Sequence, residues 1–170
     1  ARPYLRMLMQ QTGETSNLAL IEDGELVYLA QNECPELMRA LARPGAKAPL
    51  TCSAVGKVCL AFMPRKDAIE LVKSVGIAQM TSKSHVTLDS LVAELDVIAK
   101  RQFAYDNEEH SDGLRCVAAP LFSKGAGVVG ALSVSGPSVR VSEPSMAQFG
   151  RVVRQTSQDL SKALGGIWPE

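Results

Sequence analysis

Residues 49–57 read PLTCSAVGK and place Ser53 where a loop turns into a helix. The first N–H groups of a helix lack internal partners and sit at the positive end of its dipole, so an anion is stabilised there. Small side chains at Ser53 and Ala54 let a ligand approach the backbone, although an ordinary N-cap by Ser53 uses the same residue. Residues 104–116, AYDNEEHSDGLRC, read as a loop between two strands. Most acids in such a run face water, but Asp106 ends an apolar strand and can either point inward or sit at a surface turn. Next, in VGALSVSGP, period-two alternation puts Val129, Ala131, Ser133 and Ser135 on one face. Those hydroxyls need partners if buried and find water if exposed. On the preceding strand Leu114, Cys116 and Ala118 share a face. If the two strands align, Cys116, Ser133 and Ser135 form a patch of hydrogen-bonding groups. Opposed to the helix start at Ala54, that patch suits a small carboxylate carrying one further oxygen.

Catalysis is not expected from these residues. Cys116 has no local activation, and its one candidate base, His110, lies in the acidic loop, where exposure is expected. The sequence has no phosphate loop, no GxSxG and no histidine-rich metal motif. Cys34, Cys52, Cys59 and Cys116 show no CxxC pair, and with only two histidines neither a metal site nor a cofactor is expected. Free, mostly buried thiols in a reducing cytoplasm are the expectation.

The elements that must position these residues follow from periodicity. Leu5, Leu8, Met9 and Thr12 predict a first helix, with Pro3 in its first turn and Gly13 stopping it. Two β-rich runs flank Asp23-Gly24, a tight-hairpin signal. A third short strand is predicted at 37–41, and the Pro- and Gly-rich ARPGAKAPL reads as a loop. Ser53 caps a helix over 54–62, and Pro64 opens another through Val75. Thr87 caps a longer helix with Leu88, Leu91, Val92, Leu95 and Ile98 on one stripe. Strands follow at 104–106, 114–121 and 128–135. A last amphipathic helix carries Met146, Phe149, Val152, Val153, Leu160 and Leu164 and ends at Gly165-Gly166. The expected fold class is α/β, more strictly α+β: an antiparallel sheet covered by helices on both faces. The 170 residues fit one domain, without repeat, low-complexity segment or linker.

Eighteen basic residues balance eighteen acidic ones. A domain that held DNA by itself would usually show a basic excess. No run approaches the ~18 apolar residues that span a bilayer, so no membrane partner is expected. The chain starts at Ala1 without a methionine, which predicts an upstream portion.

TGET at 12–15 with LIEDGELVYL, APLTCSAVGKVCLAFMP, FAYDNEEHSDGLRCVAAPLF and VVGALSVSGPSVRVS, in this order, together resemble the effector domain of IclR-family transcription regulators. The resemblance covers essentially the whole chain. It implies a GAF-like fold, a cytoplasmic regulator and a role in sensing rather than catalysis. It also implies an N-terminal winged helix-turn-helix domain outside this chain, with residues 1–12 ending its linker. Operator DNA would be bound through that missing domain, by a homodimer or homotetramer. Within the family the chain looks nearest to the branch that senses glyoxylate-like small acids. Carried onto this sequence, the ligand contacts of that branch fall at Ala54, Val55, Asp106, Cys116, Ser133 and Ser135. Two positions depart from the family pattern. Thr51 stands where many members have His, and Val55 where many have a smaller or hydroxylated residue. The branched Val55 should narrow the pocket and remove one possible hydrogen bond. Two rival readings stay open: a sensor of a larger aromatic or nucleotide-like ligand, and an oligomerisation module without a ligand.

Overall fold

The structure, a computed structural model, describes residues 1–169, the side chain of Ala126 aside. It is a mixed α+β fold with one antiparallel six-stranded sheet in the order β3-β2-β1-β6-β5-β4. Helix α1 (Arg2–Thr12) carries Pro3 in its first turn and stops at Gly13, whose left-handed φ of 73 suits a residue without Cβ. Strands β1 (Thr15–Glu22) and β2 (Glu25–Asn32) form the predicted hairpin. Its two turn residues, Asp23 and Gly24, both have positive φ, as this tight turn requires. Helices α2 (Ala54–Phe62), α3 (Arg65–Val75) and α4 (Leu88–Arg101) follow. The chain then adds β4 (Ala104–Asn107), β5 (Leu114–Ser123), β6 (Ala126–Pro137) and α5 (Glu143–Ala163).

The alternating strands send apolar side chains to both faces, so each face needs a cover. On one, Ala19, Ala104, Ala118 and Ala131 pack under Val55, Val58 and Cys59 of α2 and under Leu91, Leu95 and Ile98 of α4. On the other, Val117, Leu132 and Val134 meet Leu5 and Leu8 of α1 with Met146, Val153 and Leu160 of α5. The small residues on the first face let α2 lie close to the sheet. Its N-terminus is thereby brought toward β5 and β6.

Three expectations need correction. No strand forms at 37–41; Leu37 there is 98% exposed, and no strand pairs with it. The short third strand is instead β3 (Lys47–Ala48), inside the segment that reads as a loop, because the chain rejoins β2 only there. Gly45 N–H donates to the Tyr28 carbonyl and Tyr28 N–H to the Ala46 carbonyl, which fixes the return. Val129 does not share the face of Ala131 and Ser133. A β-bulge near Phe122 shifts the β5–β6 register, so Val128 joins the core on the α2 face while Val129 joins the opposite core. Leu164, finally, is 45% exposed at the C-cap of α5 rather than on its buried stripe.

Candidate functional site

All six residues singled out from the sequence line one cavity of about 220 Å³ between the start of α2 and the sheet. The strand register accounts for half of the wall. Asp106 pairs with Cys116 and Cys116 with Ser135, so three neighbouring strands present these side chains side by side. Ser133, opposite Ala118, lies two residues along the same face. Asp106, Ser133 and Ser135 are buried.

The opposite wall is the first turn of α2. Ser53 is its N-cap: the hydroxyl accepts from Gly56 N–H at 3.0 Å and donates to the Pro49 carbonyl. That cap satisfies the third donor of the turn. The N–H groups of Ala54 and Val55, the first two helical residues, have no carbonyl one turn back within the helix. Gly56 lets the turn lie against the incoming chain, since a Cβ there would come within 2.3 Å of the Leu50 carbonyl oxygen. Gly56→Ala is therefore expected to lower stability by at least about 1–3 kcal/mol, through overpacking against backbone. A thermal midpoint equal to the parent's would contradict this close approach.

Sequence reasoning missed several residues of the wall. Tyr28 lines the cavity from β2, and Ala40, Leu41, Ala42 and Ala46 line it from the segment between β2 and β3. That segment is a strap rather than a strand. Arg140 ties it down, donating to the Met38 carbonyl at 2.8 Å while gripping the buried Glu14 carboxylate at 2.7 and 2.9 Å. His110, expected in solvent, is half-buried and also lines the cavity. It is carried inward because its own N–H and that of Glu109 both donate to Asp106 Oδ1, at 3.2 and 2.8 Å. Burial lowers its pKa and favours the neutral ring. Thr51 lies outside the cavity wall, its hydroxyl accepting from Ala78 N–H at 2.9 Å.

The electrostatics are set mainly by burial. Desolvation pushes the Asp106 carboxyl up to about 6, although the two N–H donors and the nearby Lys57 ammonium pull it back. The Cys116 thiol is raised by burial and by Asp106, so it stays protonated, a donor rather than a nucleophile. Burial raises the Tyr28 hydroxyl likewise. Asn17 Nδ2 reaches Ser133 Oγ and Ser135 Oγ only at 3.4 and 3.5 Å, the weak limit of hydrogen bonding. Both hydroxyls thus accept from Asn17, and Ser135 also meets the Cys116 thiol.

Behind the wall, the fully buried Lys57 places Nζ 2.6–2.7 Å from Glu109 and 2.9–3.0 Å from Glu94. Glu94 also touches His85. Donor atoms of His85, Glu94 and Glu109 lie within 4.8 Å of one another, a proximity not foreseen from the histidine count. The ammonium already supplies the positive charge those carboxylates need.

An antiparallel six-stranded sheet thus lies between two helical layers, with a small, mainly apolar cavity bearing a few convergent polar groups at the start of α2. Residues 1–162 match the model of the family described as bacterial transcriptional regulator IclR, C-terminal. The HTH-type transcriptional repressor AllR of Escherichia coli strain K12 is 34% identical over 165 residues, covering 97% of this chain and 61% of the repressor. The crystal structure of the Thermotoga maritima IclR superposes with a TM-score of 0.92 at 33% identity, over 97% of this chain and 67% of that one. The C-terminal domain of the E. coli regulator KdgR gives 0.84 at 27%, over 96% and 95%. The chain belongs to the IclR family of bacterial transcriptional regulators and corresponds to their C-terminal domain. The AllR relatives are transcriptional repressors, and the family is one of transcriptional regulators rather than enzymes. It spans about three fifths of the length of the AllR repressors it matches. Among the described residues, no helix is long and apolar enough to cross a membrane.

Proposed function

We propose that this chain is the effector-sensing domain of a cytoplasmic transcription regulator and takes a small carboxylate of the 2-oxo or 2-hydroxy acid class. The observation that carries this reading is the single cavity into which three sequence-distant segments bring Ala54, Val55, Asp106, Cys116, Ser133 and Ser135. The ligand carboxylate lies at the N–H groups of Ala54 and Val55 and takes hydrogen bonds from Ser133 and Ser135. Asp106 meets the oxo, hydroxyl or hydrate oxygen, and Cys116 shapes the wall. About 220 Å³ is less than drug-sized ligands use, and Tyr28 is the one Phe, Tyr or Trp on the wall among the described residues. Both points favour a small acid over an aromatic or nucleotide-like ligand.

Effector binding acts by population shift. A ligand that prefers one arrangement of the domain biases the linker helix or the homodimer or homotetramer, and so changes operator affinity at the separate N-terminal domain. The test is a thermal-shift panel of small 2-oxo and 2-hydroxy acids alongside their amides. A ligand bound only by the folded state raises the midpoint. Acids that stabilise while amides do not support the reading. No shift with any acid, or equal shifts with the amides, overturns it.

The Asp106 carboxyl gives the site a pH dependence of definite sign. Its folded pKa is raised to about 6, so above that pH it is an anion facing an anionic ligand. Below it, the neutral carboxyl donates. Small-carboxylate affinity is expected to rise as pH falls from 7 toward 5, by at most about tenfold per unit for one linked proton. Calorimetry in buffers of different ionisation enthalpy should register proton uptake on binding near pH 7. Affinity that falls with pH across this window would contradict the placement of Asp106. In the ligand-free protein, the stability contributed by this group is full below the unfolded aspartate value and lost as pH rises through about 6.

A further inference from the structure

Lys57 has a place in this site that its position outside the cavity conceals. It is among the largest side chains buried without measurable exposure, and an ammonium reaches such a place only when paired. Both partners come from other elements: Glu94 from α4 and Glu109 from the turn after β4. Glu109 is also the residue whose N–H donates to Asp106 Oδ1 at 2.8 Å. The same turn is held on its far side, where the Thr81 and Ser84 hydroxyls donate to the carbonyls of Glu108 and Glu109. The turn is thus clamped between Lys57 and residues 81–84, and Asp106 is fastened to the clamped part.

We propose that Lys57 is a positioning residue of the cavity: from behind the wall it anchors Glu109, and through it Asp106, while its charge is balanced by Glu94 and Glu109. This rests on the site proposed above. It adds that the acid facing the ligand is set by a cation the ligand never touches. The titratable groups packed around Asp106 and Lys57 are Glu94 and His85 on the α4 side, Glu109 and His110 in the turn, and Cys52, Cys116 and Tyr28 from the remaining walls. Lys57 favours the ionised form of Asp106, and Glu94 opposes it. Removing the two charges should therefore move Asp106 in opposite directions, whereas loosening of the wall would move both variants the same way.

The experiment follows the Asp106 carboxyl by carbon-13 NMR across pH in the ligand-free chain, for the parent, Glu94→Gln and Lys57→Met. Glyoxylate calorimetry over the same pH range accompanies it. Glu94→Gln is expected to move the Asp106 midpoint to lower pH, and Lys57→Met to higher pH, each by about half a unit or more, a threefold change in the protonation equilibrium. The midpoint of the glyoxylate profile should move with it. Should Lys57→Met not fold, Lys57→Gln takes its place, an amide that removes the same charge yet can still donate to Glu109; Glu94→Gln stays as the opposite arm, since Glu94 is partly exposed and lines no part of the cavity. An Asp106 midpoint that stays put or rises in Glu94→Gln overturns the proposal. If the parent binds no glyoxylate, the ligand reading fails, and the ligand-free titration still decides the role of Lys57.

Discussion

Lys57→Met is expected to lower the unfolding free energy by about 3–5 kcal/mol, the range for breaking a buried ion pair from one side. Methionine fills much of the lysine volume, so the loss comes from charge rather than from a cavity. The Glu109 side chain, 9% exposed, would be left with no cation; Glu94, at 23%, regains part of its hydration. The two carboxylates respond differently to the ammonium. At Glu94, Lys57 and His85 outweigh burial and bring the pKa below the ordinary carboxylate value, whereas at the more buried Glu109 desolvation outweighs Lys57 and keeps it raised. Urea denaturation should show the midpoint falling with an unchanged m value. Adding Glu109→Gln to Lys57→Met should recover part of the loss, because the double variant leaves one fewer unpaired charge. A single variant within about 1 kcal/mol of the parent would show that water reaches this cluster.

The second large effect is on binding. Ser133→Ala with Ser135→Ala is expected to weaken small-carboxylate binding by about 100-fold. That follows from two hydrogen bonds to a charged group, at roughly 1.5 kcal/mol each. The same variant should lose about 1–3 kcal/mol of stability, because the two hydroxyls are the acceptors for Nδ2 of the buried Asn17, which would be left without a partner. Calorimetry with 2-oxo and 2-hydroxy acids, beside urea denaturation of the same variant, separates the two quantities. Parent-like affinity in the double variant would remove both serines from the site.

Much of this site could be read from local pattern. Ser53 as a cap, the Asp23-Gly24 turn, and the shared face of Cys116 and Ala118 each depend on a few consecutive residues, and all appear in the structure. Pairing Cys116 with Ser135 needed only a hairpin register and two period-two strands. What escaped was non-local. Residues 37–41, LMRAL, are mostly apolar but hold no β-branched or aromatic side chain, and they have no partner edge because the chain rejoins β2 only at 45–48. Val129 breaks the alternation through a bulge that no residue type announced. His110 sits in a run of acids and reads as solvated until Asp106 is seen to collect its N–H. Lys57 is the sharpest case. One lysine following a glycine gives no hint that it lies fully buried between carboxylates 37 and 52 residues further along the chain. A charged residue in an otherwise apolar helix face was the available signal, since α2 is buried on nearly every side.

Binding of a small carboxylate between the start of α2 and the Asp106–Cys116–Ser135 row is best tested by an amide NMR titration of the nitrogen-15-labelled chain with glyoxylate and its larger 2-oxo homologues. Saturable shifts are expected to be largest at the N–H groups of Ala54, Val55 and Cys116 and of the two serines, and to grow as pH falls toward 6. Shifts centred elsewhere, or none at millimolar acid, would contradict binding at this site.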